Sequence, residues 1–146
     1  MFERKKMKVK EIKKEYFVFF LLFMVILHEG QGQAQTSKVI PEGIITAIRL
    51  GDANKLSPWF NSSVQLIILE KENVYSRSQA TMIMKDFFKK HPPKSFKIIH
   101  EGGKPKARFG IGLLKTSDQT YRIYLLIKPD NNKSVILQLR IEKENG

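Results

Sequence analysis

Apolar positions follow three different rules along this chain. Phe17–Leu27 is an unbroken apolar run of 11 residues. Val39–Gly51 and Ser76–Lys90 repeat with the period of an α-helix, and from Ser95 onward large apolar residues alternate with polar or small ones. Each rule predicts a different kind of element.

The first run is preceded by Arg4, Lys5, Lys6, Lys8, Lys10, Lys13 and Lys14 and followed by Gly30-Gln-Gly-Gln-Ala34. A basic start, a short apolar stretch and small residues at the −3 and −1 positions (Gly32, Ala34) are the parts of a secretory signal peptide. A bilayer-crossing helix needs about 20 apolar residues, so this run is too short to remain as a span. The expectation is a signal peptide over 1–34 cleaved after Ala34, a short tail at 35–38 and a single domain over 39–146. An uncleaved N-terminal anchor is the competing expectation. The mature protein is then periplasmic or secreted, touching a membrane only through its leader.

In Val39–Gly51, Ile40, Ile44, Ala47 and Ile48 share one helical face, with Pro41 near the first turn and Gly51 just past the end. Asp52 can cap a second short helical piece that brings Leu56, Trp59 and Phe60 against the first. Val64–Leu69 reads as a strand bounded by Asn61-Ser-Ser63 and Glu70-Lys-Glu-Asn73. Ser76 and Gln79 have capping-box spacing ahead of Ala80, Ile83, Met84, Phe87 and Phe88, which recur at i, i+3, i+4, i+7 and i+8. Pro92-Pro93 ends that helix.

Four alternating segments follow, Ser95–Glu101, Ala107–Lys115, Thr120–Lys128 and Ser134–Glu142, joined by short turns as an antiparallel meander. Their period turns Phe96, Ile98 and His100 inward, then Phe109, Ile111 and Leu113, then Tyr121, Ile123, Leu125 and Ile127, then Val135, Leu137, Leu139 and Ile141. Arg108, Gly110, Gly112, Arg122, Tyr124, Gln138 and Arg140 fall outside. One apolar sheet face and two apolar helical stripes predict an α+β fold, a curved antiparallel sheet wrapped around the helices.

Composition narrows the chemistry. The 146 residues contain no cysteine, which removes disulfides, thiolate nucleophiles and cysteine-ligated zinc. Of 26 Lys+Arg and 14 Asp+Glu, the first 34 residues hold 7 and 4, so the mature chain keeps 19 against 10, a net of +9. Those cations are mostly lysines scattered through every segment, with no arginine run or aromatic-interleaved motif, which disfavours nucleic acid as a partner. An anionic envelope surface is the remaining partner that charge alone suggests.

Every strong catalytic pattern is missing. There is no H-E-x-x-H and no G-x-S-x-G; Gly110-Ile-Gly112 lacks the third glycine of a dinucleotide loop, and Gly102-Gly-Lys104 lacks the spacing of a phosphate loop. No metal site and no cofactor is expected. Glu70 with Glu72 and Glu142 with Glu144 read as solvated strand ends among lysines rather than acid/base pairs. His100 is the one candidate for catalysis: at the end of an inward row, its imidazole could serve as a general base, although a hydrogen-bonded strand-end histidine accounts for it as well.

The words IPEGIITAIRLGDANKLSPWF, YSRSQATMIMKDFFKKHPPKSFKIIHEG, IGLLKTSDQTYRIYLLIK and ILQLRIEKE resemble an exported bacterial family known as domain of unknown function 4783. The element order resembles the wider nuclear-transport-factor-two-like superfamily, with its SnoaL-like and ketosteroid-isomerase-like members. The resemblance implies a cone-shaped cystatin-like fold, a periplasmic or extracellular site and a dimer packed through the sheet, but no activity, because the scaffold hosts enzymes and binders alike.

The resulting expectation is a non-enzymatic, exported module that binds a small apolar or amphipathic ligand or a protein. Its ligand pocket would be lined by Trp59, Phe87, Phe96, His100, Phe109 and Tyr121. A homodimer would form through Arg108, Arg122, Tyr124, Gln138 and Arg140, since tyrosine and arginine are favoured at interface centres. The alternative is a cofactor-independent isomerase, cyclase or hydrolase with His100 as base.

Overall fold

The computed structural model describes residues 38–145. The signal peptide, its cleavage point and most of the short tail lie outside the described residues.

Helix α1 spans Glu42–Leu50 and buries Ile44, Ile45, Ala47 and Ile48. Gly51 closes it in the left-handed conformation (φ 65°), with its N–H returned to the last turn. Asp52 accepts a hydrogen bond from the Lys55 N–H at 3.0 Å and so caps the single turn α2, Ala53–Leu56. A 3₁₀ turn, Ser57–Trp59, leads into strand β1, Phe60–Ile68.

The sequence read Glu70–Asn73 as a boundary, but Lys71–Ser76 is a strand, β2, paired antiparallel with β1. It escaped the hydrophobic pattern because it is an edge strand: of its six residues only Tyr75 is even half-buried, so no alternation marks it. Leu69, at φ 57°, makes the tight reversal between the two.

Helix α3, Arg77–Lys90, starts with the full capping box: Ser76 Oγ accepts from the Gln79 N–H, and the Gln79 side chain accepts from the Ser76 N–H. It buries Ala80, Met84, Phe87 and Phe88. Strands β3 (Pro93–Lys104), β4 (Ala107–Thr116), β5 (Thr120–Asp130) and β6 (Lys133–Lys143) form the expected meander. The sheet has six strands in the order β2-β1-β6-β5-β4-β3; every neighbour is antiparallel except β1 and β6, which run parallel. One face packs on the helices, giving the α+β architecture.

Two of the expected face assignments are reversed. In β4 the pairs Leu114↔Tyr121, Gly112↔Ile123 and Gly110↔Leu125 place the glycines on the packed face, so Phe109, Ile111 and Leu113 lie half-buried on the outer face. The interior has no room for side chains there. A Cβ on Gly110 would sit 2.5 Å from Ile40 Cγ1, and one on Gly112 would overlap the ring of Phe96. Ile40 and Phe96 occupy the volume that large β4 residues were expected to fill, and Arg108 shares the phase of the glycines.

In β3 the register slips between Ile98 and His100, so Ile99 is an extra residue of a β-bulge. Ile98 pairs with Gly112 on the packed face, but His100 pairs with Ile111 on the outer face, and Glu101 takes the inward position. A second shift, opposite Leu126 and Ile127 of β5, makes Leu137 the extra residue of β6; Ile136 rather than Leu137 joins the core, and Val135 is buried outside that main cluster.

Candidate functional site

The expected pocket does not assemble. Trp59 lies over α1, where a Cβ on Gly43 would strike its indole; Phe96 fills the space above Gly112. His100 and Phe109 meet on the outer face, rings tilted by 40° with centroids 5.7 Å apart, and His100 is solvent-exposed, bordering a shallow groove of about 470 Å³ between α1 and β3. The bulge therefore removes His100 from the interior. The inward position goes to Glu101, whose Oε2 accepts the Ile40 N–H at 3.2 Å. Of the six expected residues two pairs meet, His100 with Phe109 on the outer face and, on the packed side, Phe87 with Tyr121, edge to face at 5.3 Å.

That pair marks a different site. A cleft of about 1170 Å³ opens between α3, the β1–β2 hairpin and the end of β6. Leu66 and Ile68 from β1, Tyr75 from β2, and Ile83 and Phe87 from α3 supply an apolar floor, while Glu70, Lys71, Asp86, Lys90, His91, Glu142 and Lys143 surround it. The floor follows from sequence periods: Leu66 and Ile68 are two apart on a strand, and Ile83 and Phe87 four apart on a helix. β2 is the wall that the sequence did not disclose.

At one end of the cleft, His91 follows α3 and packs on Phe87 (centroids 4.9 Å) and Tyr121 (5.1 Å). Its Nδ1 lies 2.9 Å from the Tyr121 hydroxyl and 3.1 Å from Asp118 Oδ2, and the Tyr121 hydroxyl donates to the same Asp118 oxygen at 3.2 Å. Thr116, one of the few buried polar residues, donates to Asp118 Oδ1 at 2.5 Å, and the turn is closed by the Thr116 N–H on the Gln119 carbonyl at 2.9 Å.

The hydrogen bond from Thr116, then the turn's own backbone N–H and His91, hold the Asp118 carboxyl down at about 2 against partial desolvation. Burial, and after it the neighbouring Asp118 charge, push the Tyr121 phenol up to about 12, so it remains a hydrogen-bond donor near neutrality. The cluster is a fixed hydrogen-bonded unit. In the sequence His91 stands 27 residues from Asp118 and 30 from Tyr121, with no spacing rule to join them.

The outer sheet face forms a second surface. Ile111 lies opposite Tyr124, Phe109 opposite Leu126, and Leu113 opposite Arg122. Tyr124 and Gln138 stay on this face, as do Arg122 and Arg140, each already ion-paired: Arg122 with Glu144 through two hydrogen bonds, the longer 2.6 Å, and Arg140 with Glu142 at 2.9 Å. Arg122 holds Glu144 below the usual carboxylate range. Arg108 does not join this group, because its register partner is Ile127 on the packed side.

The family pattern "Domain of unknown function (DUF4783)" matches residues 41–142. No curated protein matches the chain. A DUF4783 family protein from Bacteroides ovatus ATCC 8483 is 32% identical, with a TM-score of 0.70 over 73% of this chain and 97% of that one. At 11% identity, two structures share the fold alone: a cystatin-like domain of unknown function from Nostoc punctiforme (TM-score 0.57, 72% and 73% covered) and an NTF-2 like protein of unknown function from Silicibacter pomeroyi (TM-score 0.56, 70% and 88% covered).

Proposed function

This chain belongs to the DUF4783 family, whose fold is NTF2-like, and on that premise we propose that it is an exported, non-enzymatic module that binds a small amphipathic molecule in the cleft between α3 and the β1–β2 hairpin. The cleft itself carries the reading. Its volume falls just above the usual range of small-molecule sites, about 300–1,000 Å³, and it joins an apolar floor to a charged rim. An amphipathic molecule matches that split: its apolar body displaces water from Ile68, Ile83 and Phe87 while its polar end stays among the rim charges.

Titration of the full chain with the fluorescent amphiphile anilinonaphthalene sulfonate tests this. Ile83→Glu sets a carboxylate on the floor and is expected to weaken binding more than about tenfold, a loss of roughly 1.4 kcal/mol. Ile111→Glu, on the opposite face of the sheet, is expected to leave binding within about twofold. Equal effects, or the reverse order, would remove the cleft as the site.

A second reading is favoured by the reversal of β4. Phe109, Ile111, Leu113 and Leu126 line the outer face beside Tyr124, and a second copy of the chain is the occupant we propose for it. On this face Arg122 and Arg140 are neutralised by Glu144 and Glu142, so these arginines do not oppose a second copy. Sedimentation of wild type against Leu126→Glu decides it: a dimer that becomes a monomer supports the interface, and a wild-type monomer at tens of micromolar excludes it.

A further inference from the structure

We propose that the cleft selects a carboxylate-bearing amphiphile, its head group held by His91 Nε2 and Lys143 and its apolar tail laid along Ile83 and Ile68. This rests on the cleft being a ligand site and adds the class of ligand.

The lining holds three carboxylates and three lysines, and it is the way they are paired that points to an anion. Of its three carboxylates, Asp86 is paired with Lys90 at 2.8 Å and Glu142 with Arg140 at 2.9 Å. Lys71 and Lys143 have no ion-pair partner among the described residues, and Glu70 is the one unpaired acid facing them. A second carboxylate is what the rim lacks.

Position selects where that carboxylate goes. Lys143 is the cross-strand partner of Tyr121, so both side chains leave the same face of the sheet at the end where His91 packs on Tyr121. His91 has spent Nδ1 on Asp118 and Tyr121, and Nε2, on the far edge of the ring, has no hydrogen bond among the described residues. The Thr116–Asp118 turn and the Phe87 ring fix the imidazole in place, so it presents Nε2 without an ordering cost at the moment of binding. With Nδ1–H turned to Asp118, Nε2 donates to a carboxylate oxygen in the imidazolium form of the ring, which together with the Lys143 ammonium supplies the charge. The apolar floor starts at Phe87, directly beside this corner, and continues through Ile83, Ile68 and Leu66. Head group and tail positions are thus contiguous.

The test uses the full chain and two probes of equal tail length, decanoate and decan-1-ol, each below its aggregation limit, with affinities read by calorimetry. Decanoate is expected to bind at least about tenfold more tightly than decanol, the discrimination that one charge-assisted hydrogen bond supplies. Lys143→Gln and His91→Gln are each expected to weaken decanoate by about tenfold and leave decanol within twofold. Lys143 is exposed, so its variant keeps the fold even where the His91 variant does not. Equal binding of both probes, or decanoate binding untouched by Lys143→Gln, overturns the head-group assignment while the cleft stands. Failure of both probes to bind removes the cleft reading and this one with it.

Discussion

Gly112→Ala probes the reversed phase of β4 more sharply than any other single change. The backbone there does not require a glycine, so alanine by itself would stabilise the chain by about 0.4–1 kcal/mol through the unfolded state. Against that, the new methyl would lie 2.5 Å from Phe96 Cζ and 3.1 Å from the Lys97 carbonyl oxygen, and Phe96 is 4% exposed, so its ring must shift to admit the methyl. Overpacking of this kind costs about 1–3 kcal/mol, so the net loss should be roughly 0.5–2 kcal/mol. For a domain of about 100 residues that lowers the melting midpoint by several degrees. Phe96→Leu removes the ring atoms that collide. Urea unfolding of wild type, both single variants and the double variant should therefore show a coupling of about 1 kcal/mol, with Gly112→Ala becoming neutral or better when Leu stands at 96. Additive effects, or a Gly112→Ala variant more stable than wild type, would mean that position 112 faces solvent and that the packing described for β4 is wrong.

Ser76→Ala deletes the hydrogen bond to the Gln79 N–H at the start of α3 and should cost about 1 kcal/mol by urea unfolding, with Ser76→Thr retaining most of it. Asp118 is held near 2, below its ordinary 3.8, so its contribution is complete above about pH 4 and is lost as pH falls through 2; Asp118→Asn should flatten that limb of a melting-temperature profile, and an unchanged limb would count against the Thr116–Asp118–His91 turn. Tyr121 has the opposite sign. With its phenol raised from 10 to about 12, stability holds below pH 10 and declines as the unfolded chain ionises first, and Tyr121→Phe should remove that alkaline decline.

Much of the fold was legible because strong local signals agree with burial. The caps at Asp52 and Ser76, the stop at Gly51 and the helical stripe of α3 all stand where spacing placed them. The element that escaped, β2, carries almost no buried surface and so leaves no hydrophobic period. The candidate site was less legible for a different reason. Alternation tells that one face of a strand is apolar, but both faces of β4 are: one is filled by its own side chains, and the other by Ile40 and Phe96 reaching over glycines. One inserted residue at Ile99 then exchanges His100 for Glu101, a change of face that no count of two can anticipate. His91, just past the end of α3, belongs to the cleft because the β4–β5 turn brings Asp118 and Tyr121 to it, a meeting that no local spacing announces.

The cleft is the centre of the functional account, and nitrogen–proton correlation spectra of the full chain titrated with decanoate test it most directly. The account predicts saturable shifts at the backbone amides of Ile83, Phe87, His91 and Lys143, with Ile111, Tyr124 and Leu126 on the outer face unmoved. Shifts confined to the outer face, or no saturable shifts anywhere, would contradict it.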